Sequence, residues 1–394
     1  MKGKLPNPFH LPWIIAGGFI ALGLIGVAFL PTSTARAEPV PMQAKAPPLS
    51  PGEQLTDSAC LGCHGKSGLI TTLPDGEKLS ISIDGGLYQQ TVHGKQGLPC
   101  TTCHISITGY PHPELTIDTH KEFSFEATQA CQQCHAEQYA AVKDSIHMQA
   151  HEAGNVLAPA CTDCHNPHTQ TTLVDKNGNT LKEARVNIPL TCSKCHNEIY
   201  GQYKSSVHGS SLLLEGNADT PTCIDCHNVH NVSAIDNAFR LRSPGICSKC
   251  HADKALMDKY GLSSKVNSTY IADFHGTTVT IFEKTAPDQQ TNTPVCIDCH
   301  GVHNMTRSDD PANGLHIKSN LLKTCQKCHP DASENFPASW MSHYTASPTK
   351  APLVFYVNLF YKIMIPLVIG VMALYVISDY IRRLIDKRKG VKES

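Results

Sequence analysis

The chain has 394 residues and a net charge of −1, which argues against nucleic acid and for no particular partner. Only 6% of residues are aromatic, whereas there are 18 cysteines and 22 histidines. An aromatic-rich side-chain core is therefore excluded too, and the cysteines and histidines carry the reading.

In chain order, Lys2 and Lys4 precede an apolar run from Trp13 to Leu30, and Ala35-Arg36-Ala37 then gives a small–x–small pattern before Glu38. Residues 1–37 read as a secretory signal. Because the run is 18 residues long, an uncleaved anchor is the alternative. Either way the following chain is exported. Pro39, Pro41, Pro47, Pro48 and Pro51 make 38–55 an extended, proline-rich linker.

Residues 56–345 contain nine Cys-x-x-Cys-His motifs that use every cysteine. Their cysteines are Cys60 and Cys63, Cys100 and Cys103, Cys131 and Cys134, Cys161 and Cys164, Cys192 and Cys195. The remaining pairs are Cys223 and Cys226, Cys247 and Cys250, Cys296 and Cys299, Cys325 and Cys328. The histidines that follow them are His64, His104, His135, His165, His196, His227, His251, His300 and His329. Two thiols at this spacing suit thioether bonds to the two vinyl groups of one porphyrin edge, and the next residue then supplies the proximal iron ligand. A redox dithiol, half a zinc site or a disulfide scaffold does not require the trailing histidine. The motifs therefore predict nine covalent c-type haems. Each has roughly 35 residues of chain between the two apolar ends, too few for a conventional core around every cofactor. The expected fold is mainly α and irregular, a haem-packed multihaem cytochrome c domain of short helices and loops.

The motifs also repeat. Four doublets begin at Cys100, Cys161, Cys223 and Cys296, separated by 61, 62 and 73 residues, and the Cys60 motif reads as half a unit in front. Five histidines precede a doublet or close the series: His93, His147, His208, His275 and His343. His168, His230 and His303 stand three residues after a proximal histidine; the first doublet lacks a histidine there, but His112 lies a few residues later. These nine are the expected distal ligands, one for each iron. An isolated histidine is more often a solvated or locally hydrogen-bonded side chain, and His120, His151 and His316 are read that way; His120 is the replacement should His112 fail. His147 and His208 each lie 12 residues after a proximal histidine, which in a helix is about 18 Å, so each must serve another haem. A histidine three residues after a proximal ligand is on the same side of its own ring and must also reach a neighbour.

With these motifs and the repeated Ser-[Val/Ile]-His elements, the segment Cys60–His343 resembles the membrane-anchored multihaem cytochromes c of bacterial respiration. The resemblance implies electron transfer from membrane quinol, directly or through a b-type partner, to other cytochromes or reductases outside the cytoplasm. It implies no catalytic residues. Two axial histidines per iron leave no open face, so an electron-transfer protein is expected rather than an enzyme. A multihaem reductase of a small nitrogen or sulfur oxyanion is the alternative, with its open haem at the site least well provided, that of His112.

Leu353–Ile377 is apolar, interrupted by Asn358 and Lys362, and Arg382, Arg383, Lys387, Arg388, Lys389 and Lys392 follow. Residues 353–385 read as a C-terminal transmembrane helix and 386–394 as a basic cytoplasmic tail, with the haem domain on the outer face of a bacterial cytoplasmic membrane. Trp340 and Tyr344 are read as outer-interface residues. The anchor lies at the opposite end from that of the small quinol-oxidising cytochromes, which favours a separate integral membrane partner, quinol-linked or a b-type cytochrome. Lys362 has two readings: a residue that snorkels, or part of a face with Asn358 and Pro366 that packs on that partner.

Overall fold

The computed structural model describes residues 55–109, 112, 116–340 and 343–390. The signal or anchor, all but the last residue of the linker and the end of the basic tail lie outside them. The described chain is mostly short helices and irregular segments, with one two-stranded antiparallel sheet pairing Ile70–Thr72 with Lys78–Ser80.

The side-chain core is thin. Its buried cluster is Leu241, Val279 and Val295, with Phe282 and Ile297 packed against it. Large apolar side chains stand exposed between the motifs, among them Val156, Leu157, Leu214, Val229 and Ile235. Burial of protein side chains alone thus supplies little of the stabilisation expected for a domain of this length.

Local chemistry sets the helix ends. His120–Gln132 is capped by Thr119 Oγ1, which accepts from Glu122 N, and Asn237–His251 by Asp236 Oδ1, which accepts from Phe239 N. Pro189 and Pro244 lie inside the helices Lys182–Ser193 and Asn237–His251, each three residues before a motif cysteine, and both are buried. After the proximal histidines His227 and His300 the chain turns at Asn228 (φ 63°) and Gly301 (φ 82°), which redirects it toward His230 and His303.

The last helix, Pro352–Arg388, is unlike the others. Its 37 residues extend about 55 Å, and it is long and apolar enough to cross a membrane. Near its end Asp379 pairs with Arg382 and Arg383, both at 2.8 Å.

Candidate haem-ligand array

Each proximal histidine faces one of the expected distal histidines. Ring centres are 5.9 Å apart for His64 and His112, 6.0 Å for His104 and His168, and 6.1 Å for His135 and His93. They are 6.2 Å apart for His165 and His230, for His196 and His147, for His251 and His208, and for His300 and His343. His227 and His303 stand at 6.0 Å, and His329 and His275 at 6.5 Å. Rings in van der Waals contact would lie much closer, as His151 does on Phe125 at 3.6 Å. With a metal–nitrogen distance of about 2 Å, two imidazoles on one iron have centres roughly 6.3 Å apart. The nine gaps have that width.

The pairing follows a rule. His147, between the third and fourth motifs, faces His196 of the fifth; His208 faces His251 of the seventh, and His275 faces His329 of the ninth. The trailing histidines run the other way: His168 reaches back to His104, His230 to His165 and His303 to His227. Consecutive doublets are thus tied to one another in both directions. Of the three histidines outside the pattern, His120 Nδ1 lies 3.5 Å from Glu77 Oε1, His151 stacks on Phe125, and His316 is exposed.

Buried imidazoles resist protonation, which keeps ring nitrogens available to a metal. Burial first, and His251 nearby second, push His208 down to about 4; burial, then His343, does the same for His300. Burial also lowers His104, His147, His168, His227, His230, His251, His303 and His343.

Three devices that pattern reading did not find hold the array. First, the aspartates of Cys-[Thr/Ile]-Asp-Cys-His act twice. Asp163, Asp225 and Asp298 accept from the backbone N–H of Ala160, Thr222 and Val295 at 2.6, 2.6 and 2.7 Å. They also pair with Lys121, Arg185 and Arg240 at 2.7, 2.9 and 2.6 Å. Each bond joins an odd-numbered motif's helix to the next even-numbered motif. At those junctions the thiols of Cys131 and Cys161, Cys192 and Cys223, and Cys247 and Cys296 are neighbours.

Second, the N–H groups of Val92, Ile146 and Val207 donate to the carbonyls of Gln170, Val232 and Met305 at 2.9, 2.8 and 2.8 Å. The donor always precedes one distal histidine and the acceptor lies two residues after another. The two distal ligands of a doublet therefore leave from one backbone junction.

Third, Tyr88, Tyr203 and Tyr270 stand five residues before His93, His208 and His275, and a glycine follows each of those histidines. A Cβ on Gly94, Gly209 or Gly276 would lie 2.1, 1.9 or 2.0 Å from the carbonyl oxygen of that tyrosine. The tyrosine hydroxyls donate to Leu98, Pro221 and Pro294 carbonyls at 2.7, 2.8 and 3.0 Å, each two residues before a motif cysteine. A Tyr-x4-His-Gly spacing was the available signal. The third-motif unit departs from it, with Val142 and Met148 at the two positions.

The residues present fit c-type haem. A pair of free thiols precedes each proximal histidine, large apolar side chains between the motifs are exposed, and His93 Nδ1, Arg185 Nε and Arg240 Nη1 are buried without a hydrogen-bond partner. No protein-family model and no solved structure matches the chain. A relative does: the multiheme cytochrome MtrA of Shewanella baltica (strain OS185) is 27% identical over 205 residues. This chain is similar to a multihaem cytochrome. The match covers 50% of this chain and 53% of the relative, so the chain spans about half the length of the curated relative it matches.

Toward the last helix, Trp340 Nε1 donates to Asp273 Oδ2 at 3.1 Å and the indole is half-buried, so this expected interface residue is engaged within the protein. Tyr344 is exposed and lies under the Lys350 ammonium, 3.3 Å from its ring centre.

Proposed function

We propose that this chain is an electron-transfer protein that holds nine c-type haems, each between two histidines, on the outer face of a membrane spanned by Pro352–Arg388. The observation that carries the reading is the set of nine proximal–distal pairs with ring centres 5.9–6.5 Å apart. When bound, c-type haem supplies one-electron iron chemistry, at low potential where both axial ligands are histidine.

The protein's part is attachment and positioning. The cysteine pairs hold the porphyrin edges, the histidines fix the irons, and the Asp–Arg and Asp–Lys bonds set consecutive motifs side by side. A reductase needs an iron with an open distal face, whereas each proximal histidine has a second imidazole opposite. The basic residues after Ile377 assign the tail to the cytoplasm by the positive-inside rule. Electrons come from the quinol pool through a multispanning, quinol-linked or b-type cytochrome partner, and leave to redox partners outside the cytoplasm.

Single-ligand variants test the pairing. His208→Ala turns one haem high-spin in the electron paramagnetic resonance spectrum, and His151→Ala turns none. A spectrum unchanged in His208→Ala would overturn the assignment.

A further inference from the structure

Four helices carry a distal histidine as their second residue: Val92–Lys95, Ile146–Glu152, Val207–Leu213 and Phe274–Thr285. In the first three the N-cap is a buried hydroxyl. Thr91, Ser145 and Ser206 accept from the N–H of Gly94, Met148 and Gly209 at 3.0, 3.2 and 3.0 Å. In the fourth the equivalent residue is Asp273. Its Oδ1 accepts from His275 N at 2.9 Å and lies 3.0 Å from His275 Nδ1, while Oδ2 accepts from the Trp340 indole at 3.1 Å. A carboxylate thus stands against an axial imidazole where the other repeats have an alcohol.

Resting on the haem-ligand reading above, we propose that Asp273 positions His275 and makes the haem held by His275 and His329 the lowest in potential of the nine. An ionised carboxylate only accepts hydrogen bonds, so Nδ1 carries the proton and Nε2 is left for iron. An anionic acceptor on Nδ1 makes the imidazole a stronger donor, and a stronger donor favours the ferric state. Three other ligand imidazoles have a neutral group at Nδ1: the Ile81 carbonyl on His64 at 2.8 Å, Gln170 Oε1 beside His165 at 3.2 Å and Thr269 Oγ1 beside His343 at 3.5 Å. Both members of the Asp273–His275 pair are about 30% exposed or less, which limits screening by water. The consequence is directional. His329 belongs to the last motif, and Trp340 opens the segment into the membrane helix, so the low-potential, donor end of the array is the end that adjoins the membrane.

The test uses the full-length, haem-loaded protein and variants Asp273→Ser, which restores the hydroxyl of the other repeats, and Asp273→Asn. Spectroelectrochemical titration should show the lowest-potential component moving up most in both, with a smaller shift expected only for the haem held by His300 and His343, since the Asp273 charge also acts on His343. One low-spin resonance should shift, and the haem count should not change. A lowest component that stays in place with ligation intact overturns the proposal, as does conversion of one haem to high-spin with the low component retained. Trp340→Phe serves if neither variant loads with haem. It removes a donor from Oδ2, strengthens the carboxylate as an acceptor for His275, and should lower the same component further; an upward or absent shift overturns the proposal. Failure of the underlying haem-ligand reading would show separately, as fewer than nine haems or a high-spin signal in the unmutated protein.

Discussion

Gly209 and Gly201 lie in neighbouring helices, and the array demands opposite things of them. A Cβ at Gly209 would fall 1.9 Å from the Tyr203 carbonyl oxygen, whereas nothing lies within 4 Å of one at Gly201. Gly209→Ala should therefore move the helix that carries His208 and convert one haem to high-spin. Gly201→Ala should leave every haem low-spin and raise stability by about 0.5–1 kcal/mol in a denaturant titration, the usual gain from replacing a mid-helix glycine. Similar behaviour of the two variants would contradict the role given to the tyrosine carbonyl. Most of the histidines that face a proximal histidine could be picked out in the sequence because they recur beside a fixed neighbour, as in Ser206-Val207-His208, whereas His112 has no such repeat. The Tyr203–Gly209 contact was not legible, because spacing alone does not reveal that two backbones approach within van der Waals distance. The Trp340 bond was hidden for a related reason: only tertiary structure brings Asp273 to its indole.

At the scale of elements, which histidine faces which motif could not be read from spacing. His147 travels on its helix to the fifth motif and His230 returns to the fourth, choices made by packing between repeats rather than by the local chain. That packing depends on the bonds between Arg240 and Asp298 and between Arg185 and Asp225. Arg240→Met leaves Asp298 bound to Val295 N but removes the tie between the seventh and eighth motifs. With both side chains part-exposed, the cost is on the order of 1 kcal/mol, read as a lower unfolding midpoint at unchanged haem content. Ser206→Ala takes the acceptor from Gly209 N and should cost about 1 kcal/mol as a lost N-cap. An unaltered midpoint in both variants would show that iron ligation alone fixes these helices.

The molecule as a whole joins a thin-cored domain to a helix of membrane-spanning length. Truncation after Thr349 should release a soluble, haem-loaded domain if the signal is cleaved at Ala37, and retention in the membrane fraction would instead make Trp13–Leu30 an anchor. Lys362→Leu should weaken copurification with the proposed membrane partner in mild detergent. Purification as a lone chain that still oxidises quinol would make the protein its own quinol dehydrogenase.

The central claim is that two histidines hold each of nine irons. Spin-quantified electron paramagnetic resonance of the oxidised full-length protein, normalised to chain concentration, measures it directly. Nine low-spin ferric centres per chain are expected, with signals spread by interplanar angles that range from 7° for His104 and His168 to 70° for His93 and His135. A total below nine, or a high-spin signal equal to one centre per chain, would contradict it.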